Sequence, residues 1–150
     1  MKLAALLLLI SSTVFAEQIT PDLAKRLIDE AKNAQKRAYA PYSEYFVGAA
    51  VLTKSGKIYS GCNIENASYG LGNCAERTAV FKAVSEGERD IEAIAVVTRD
   101  GGCSCGACRQ VLNEFNPEML VLIAANEKDL YQIFTLDTLL PHAFGPHNLE

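Results

Sequence analysis

The stretch that decides the fold is residues 61–79, GCNIENASYGLGNCAERTA. It leaves an apolar run and passes through Asn63 to Asn73, which hold three Asn together with Gly70 and Gly72 and so read as a loop. A helical pattern then opens at Cys74. Ala75, Ala79, Val80, Ala83 and Val84 recur at helical spacing up to Ser85, and Gly87 supplies a stop. Upstream, Val47–Leu52 and Lys57–Cys62 are apolar-rich runs separated by Thr-Lys-Ser-Gly, the pattern of a β-hairpin.

Further out, Thr20-Pro21-Asp22 offers a hydroxyl cap, a proline in the first turn and an acid at the positive end of a helix dipole. Leu23, Leu27, Ala31, Ala34 and Ala38 follow as an amphipathic stripe that Pro41 ends. Downstream, Ile91–Val97 and Met119–Ala124 are almost wholly apolar, as strands covered on both faces must be. Between them a helix runs from about Gly106 to Phe115, before Pro117, and Leu130–Phe134 reads as a last strand. The order α-β-β-α-β-α-β-β, without internal repeat, implies one sheet layered between helices in a single domain.

At 150 residues and 49% apolar composition the chain is long enough to bury one sizeable core. Its formal charge of −4 and lack of a Lys/Arg stripe argue against nucleic acid as a partner, because binding the phosphate backbone needs many cationic contacts. Residues 1–16 differ from the rest: Lys2, the unbroken apolar run Leu3–Ile10, then a segment ending Val-Phe-Ala16. Charged, apolar, then small is the layout of a cleaved signal peptide, and the run is too short to span a bilayer. The expectation is a mature domain over 17–150, secreted or periplasmic, with no membrane contact; a cytoplasmic chain with an N-terminal extension is the alternative.

Five cysteines, Cys62, Cys74, Cys103, Cys105 and Cys108, are an odd number, and three of them crowd into 103–108, which suits a metal better than a disulfide framework. The informative constellation is Cys74-Ala75-Glu76 with Cys105-Gly106-Ala107-Cys108. Catalytic zinc takes three protein ligands and keeps one position open for water. Cys74 and Cys105 each stand at a predicted helix start, where the helix dipole favours thiolate over thiol. Three thiolates on Zn²⁺ leave a net negative charge, for which Arg77 is the candidate neighbouring donor. Glu76 is placed to accept a proton from zinc-bound water and return it to a substrate; base deaminases with three thiolates and a non-ligand Glu work this way on C4 of cytosine. Competing readings are a closed structural zinc site completed by Cys103 and a redox dithiol at Cys105/Cys108. A deaminase of polynucleotides, which the charge balance argues against, would use the same metal centre. Cys62 reads as a core residue or as a disulfide partner of Cys103, and His142 and His147 as surface residues of the tail.

Residues 61–79, together with Cys105-Gly-Ala-Cys-Arg-Gln110, resemble the homotetrameric zinc-dependent cytidine deaminase family, and the similarity runs from about Pro21 to the C-terminus. The resemblance implies a three-layer α/β/α sandwich with a mixed five-stranded sheet, and hydrolytic deamination of free cytidine and deoxycytidine in pyrimidine salvage. It implies that Asn63 and Glu65 bind the ribose 3′-hydroxyl, that Tyr45 lies against the pyrimidine, and that the backbone at Cys74 and Ala75 meets the base carbonyl. It implies further that Ala67 and Tyr69 reach a neighbouring subunit's pocket and that Phe144 lies near that pocket, in a tetramer. Three departures stand out: Ser104 replaces the usual Pro before Cys-x-x-Cys, Tyr45-Phe46-Val47-Gly48 replaces Phe-Pro-Val-Gly, and Cys103 is extra.

Overall fold

The computed structural model describes residues 19–128 and 130–149. Helix α1 is Pro21–Gln35, capped by the Thr20 hydroxyl accepting from the Leu23 amide at 3.3 Å. Strands β1 (Gly48–Thr53) and β2 (Ile58–Cys62) form the hairpin, α2 is Ala75–Ser85, β3 Ile91–Thr98, and α3 Gly106–Phe115. Strands β4 (Leu120–Ala125) and β5 (Tyr131–Thr135) lead into the single-turn helix α4, Leu136–Leu139. The leader, residues 1–16, lies outside the described residues. Among those described, no helix is long and apolar enough to cross a membrane.

The sheet order is β2-β1-β3-β4-β5, antiparallel except for the parallel pair β3/β4 that the α3 crossover requires. Alternation along the three central strands divides the core in two. Val51, Ile94, Val96, Val121 and Ile123 face α2, α3 and α4 through Ala75, Val80, Leu112 and Leu136. Ala50, Leu52, Ala93, Ala95, Val97 and Leu122 face α1 through Leu27, Ile28 and Ala31. The expected three-layer sandwich with a mixed five-stranded sheet is therefore present.

Small residues set the layer spacing. A Cβ on Gly48 would lie 1.9 Å from the Ala31 carbonyl oxygen and 2.7 Å from the Gln35 amide; one on Gly61 would lie 2.6 Å from the Ala79 amide. Gly48 thus lets β1 approach the backbone of α1, and Gly61 lets β2 approach that of α2, the helix that opens at Cys74. Gly48→Ala is expected to cost about 3 kcal/mol, the scale of forced overpacking, read as a lowered midpoint in thermal or urea unfolding.

The segment 63–73 is more ordered than its composition suggests. Ile64 pairs with both Tyr39 and Asn73, and Tyr69–Leu71 form a 3-10 turn. These bridges pin Asn63 and Glu65 beside the C-terminal end of β2. All five cysteines are free, so the disulfide considered between Cys62 and Cys103 is not formed: Cys62 closes β2, half-buried, and Cys103 lies exposed before α3.

Candidate active site

Two helix N-termini converge. Cys74 caps α2 and Cys105 caps α3, both in extended conformation and neither using its sulfur as a cap, while Cys108 sits in the first turn of α3, fully buried. The Sγ atoms of Cys74, Cys105 and Cys108 all lie within 4.8 Å of one another. Tetrahedral zinc with Zn–S bonds near 2.3 Å holds its sulfurs about 3.8 Å apart, so a small contraction closes the set on a metal. Soft thiolate donors select zinc over hard cations. Cys103 is not one of this group, nor are His142 and His147, which are exposed. A closed four-sulfur site is not assembled among the described residues.

The electrostatics favour thiolate at Cys74. The Cys108 side chain first, and the Arg77 guanidinium next, bring the Cys74 thiol down to about 5. The Arg77 Nη2 lies 3.5 Å from the Cys74 sulfur, the arrangement expected for a cation offsetting a thiolate-rich centre. Cys108 is shifted upward by its bond to Cys74 and by burial.

Glu76 occupies the first turn of α2 and is only 4% exposed. Burial raises its pKa above the ordinary carboxylate value. It lines a cleft of about 330 Å³ together with Cys74, Ala75, Cys105, Tyr45, Asn63 and Glu65. Two of the three clustered cysteines, Cys74 and Cys105, the acid, the expected ring-stacking residue and both expected sugar ligands therefore open onto one cavity, with Cys108 buried behind them. This cavity lies where strand and helix ends meet, the usual place for a ligand in an open α/β sheet.

On the sugar side, Glu65 accepts from the Tyr42 amide at 2.8 Å, the Ser43 amide at 3.2 Å and the Ser43 hydroxyl. The Ser43 hydroxyl is the main cause of its lowered pKa, so Glu65 is an ionised acceptor already aimed by three donors. Asn63 bridges the Tyr45–Val47 segment: its Oδ1 accepts from the Val47 amide and its Nδ2 donates to the Tyr45 carbonyl, both at 2.8 Å. Ser43 escaped the sequence reading. Its signal was only a hydroxyl two residues before an aromatic, and its partner lies 22 positions away.

Ala67, Tyr69 and Phe144 are not among the described residues lining this cleft. Tyr69 is 83% exposed, its ring centroid 6.0 Å from that of Tyr42, beside a second hollow of about 340 Å³ that Glu65 and Ser43 share. Phe144 is 60% exposed, and its carbonyl is held by the amides of Gln110 at 2.8 Å and the buried Asn113 at 3.3 Å. The single chain thus brings together the metal set, Glu76, Tyr45, Asn63 and Glu65, and leaves these three residues on its surface.

Comparison with known proteins agrees with this geometry. The family model for the cytidine and deoxycytidylate deaminase zinc-binding region matches residues 21–124. A cytidine deaminase of Halalkalibacterium halodurans is 54% identical over 126 residues, covering 83% of this chain and 96% of that protein. One from Sporosarcina psychrophila is 49% identical over 128 residues, covering 84% and 94%. Among solved structures, a cytidine deaminase from Burkholderia pseudomallei superposes with a TM-score of 0.76 at 49% identity over 80% of this chain and 98% of that one. One from Mycobacterium tuberculosis gives 0.70 at 41% identity over 81% and 96%. With its three sulfurs gathered at two helix N-termini and its matched region spanning both cysteine blocks, the chain belongs to the zinc-binding cytidine and deoxycytidylate deaminase family.

Proposed function

We propose that the chain converts free cytidine and deoxycytidine to uridine and deoxyuridine, consuming water and releasing ammonia, as a step of pyrimidine salvage. The observation that carries this is the buried Glu76 in one cleft with Cys74 and Cys105, two members of a three-sulfur cluster. Cys74, Cys105 and Cys108 would hold zinc, and Arg77 would offset their charge. When bound, zinc supplies a Lewis acid that makes water nucleophilic at neutral pH. Glu76 takes the two protons of the attacking water in turn, delivering one to the ring nitrogen and the other to the departing amine. Tyr45 lies against the pyrimidine and the backbone of Cys74 and Ala75 meets the base carbonyl. Asn63 and Glu65 hold the 3′-hydroxyl.

The ionised Glu65 selects for a free nucleoside, since its charge opposes a 3′-phosphate and so a polymer strand. Glu65→Gln is expected to raise the KM for cytidine about tenfold, the scale of one hydrogen bond between a hydroxyl and a charged acceptor. Its penalty against cytidine 3′-phosphate relative to cytidine should shrink, which competition kinetics would read. An unchanged KM would remove Glu65 from the sugar site.

A homotetramer completes the pocket in this reading, with Ala67, Tyr69 and Phe144 serving neighbouring subunits. The exposed Tyr39, Ile64, Tyr69, Leu71 and Phe144 support it, because large apolar side chains on a surface favour burial against a partner. Light scattering of the purified protein tests the assembly. The leader 1–16 reads as an export signal, and N-terminal sequencing of the mature protein tests cleavage after Ala16.

The activity is tested by ammonia release from cytidine, cytosine and a cytosine-containing oligonucleotide, with zinc content measured on the same sample. Turnover of cytidine well above the other two, with one zinc per chain, is expected. A metal-loaded protein that leaves cytidine intact would contradict the proposal.

A further inference from the structure

The geometry points to Asp100 as a positioning residue for the base-facing ring: by accepting the Tyr45 phenol, it fastens that ring to the loop that delivers Cys105. The inference rests on the preceding reading, in which Tyr45 faces the pyrimidine. Tyr45 and Asp100 are far apart in sequence, yet the phenol donates to Asp100 Oδ1 at 2.6 Å. The same oxygen accepts from the Thr98 hydroxyl at 3.2 Å and the Gly102 amide at 3.3 Å, and the Gly102 amide also donates to the Thr98 hydroxyl at 2.7 Å. Thr98 ends β3 and is 3% exposed, so the acceptor is tied to the sheet. The Arg99 guanidinium lies 5.0 Å from the Tyr45 ring centroid. The ring is thereby held at its edge by a carboxylate and on its face by a cation.

Two features of the loop fit a latch. Gly102 leaves the space the phenol needs, since a Cβ there would lie 2.6 Å from the Tyr45 hydroxyl oxygen and 3.4 Å from Asp100 Oδ1. Gly101, at φ +78°, makes the turn that brings the Gly102 amide back to Thr98 and Asp100. Three positions later the chain reaches Cys105. Ser104 precedes that ligand, where the family resemblance leads one to expect Pro, whose ring would fix the backbone. The phenol bond supplies a restraint that Ser104 does not: among the described residues the Ser104 hydroxyl pairs only with the adjacent Cys103 sulfur, at 3.9 Å. A Phe at position 45 would lack the donor, so the latch requires Tyr45 and Asp100 together. Burial, then Asp100, raise the phenol pKa above its ordinary value, and the phenol is the first cause of the lowered Asp100 pKa, so both partners keep the protonation states the bond needs.

On the far side, the Tyr45 carbonyl accepts from Asn63. Asn63, Tyr45, Asp100, Gly102 and Cys105 therefore form a linked series around the cleft, from the sugar side to the metal. Loosening Asp100 should disturb how well the nucleoside is held more than how fast held nucleoside reacts.

The test compares wild type, Asp100→Ala, Asp100→Asn, Tyr45→Phe and the Tyr45→Phe/Asp100→Ala double variant. Its readouts are cytidine kinetics referred to zinc-loaded enzyme and calorimetric titration with uridine. Asp100→Ala and Tyr45→Phe are each expected to raise KM and weaken uridine binding about three- to tenfold, with a smaller change in kcat, as loss of one charge-assisted bond at a partly exposed site implies. Asp100→Asn, which keeps an acceptor oxygen, should recover most of the loss. The double variant should be no worse than Asp100→Ala, because both changes remove the same bond. Wild-type KM and uridine affinity in Asp100→Ala, or multiplying effects in the double variant, would overturn the inference. Wild-type protein that neither deaminates cytidine nor binds uridine would instead refute the function on which it rests.

Discussion

Glu76→Ala should keep its zinc and lose turnover by a factor of about 10²–10⁴, the range attributable to a positioned general acid–base group. The carboxyl is 4% exposed and is not one of the three sulfur ligands, so its removal leaves the metal set intact. A buried carboxyl also carries a desolvation cost, visible in its raised pKa, so truncation should not unfold the protein. The measurement is ammonia release together with zinc per chain. Near-normal activity in the zinc-loaded variant would remove Glu76 from proton transfer. Loss of zinc would show that Glu76 supports the metal rather than the reaction.

Cys108→Ala should lose the metal and much of the stability the metal confers. Cys108 is fully buried in the first turn of α3, and its sulfur links the Cys74 and Cys105 ends of the two helices. A ligand present at about a thousand times its dissociation constant stabilises a fold by about 4 kcal/mol. Its loss therefore implies a fall in melting temperature of about 10 °C for a domain of this size. The two core clusters remain, so a folded but metal-free protein is expected rather than a random chain. Cys103→Ser provides the contrast: its exposed thiol stands outside the sulfur cluster, so metal content should match wild type. Equal loss of zinc in both variants would argue for a closed site.

Much of this was legible in the sequence because the signals were local. The unbroken apolar runs at β3 and β4 announce strands buried on both faces, and Thr20-Pro21-Asp22 announces the start of α1. Cys74 and Cys105 stand at helix starts that their neighbours define within a turn. The division of the core also follows from sequence once the faces are known: Ala50, Ala93 and Ala95 lie against α1, while Val51, Ile94 and Val96 lie against the cysteine-bearing helices.

What stayed hidden depends on contacts between distant residues. Nothing near Gly48 foretells that the Ala31 carbonyl would lie 1.9 Å from its absent Cβ. Ile64 sits in a Gly- and Asn-rich stretch that reads as open loop, but its pairing with Tyr39 and Asn73 makes that stretch a rigid holder for Glu65. Glu65 is held by Tyr42 and Ser43, far from it in sequence, and Tyr45 finds Asp100 across the cleft. Such partners are set by the packing of β1 beside β3, and spacing along the chain does not encode them.

X-ray absorption at the zinc K-edge of the purified protein tests the open three-sulfur centre most directly. Three sulfur scatterers at about 2.3 Å and one lighter oxygen or nitrogen scatterer are expected, as an open catalytic site requires. A shell of four sulfurs would mean that Cys103 closes the site, leaving no position for water and no basis for hydrolysis there.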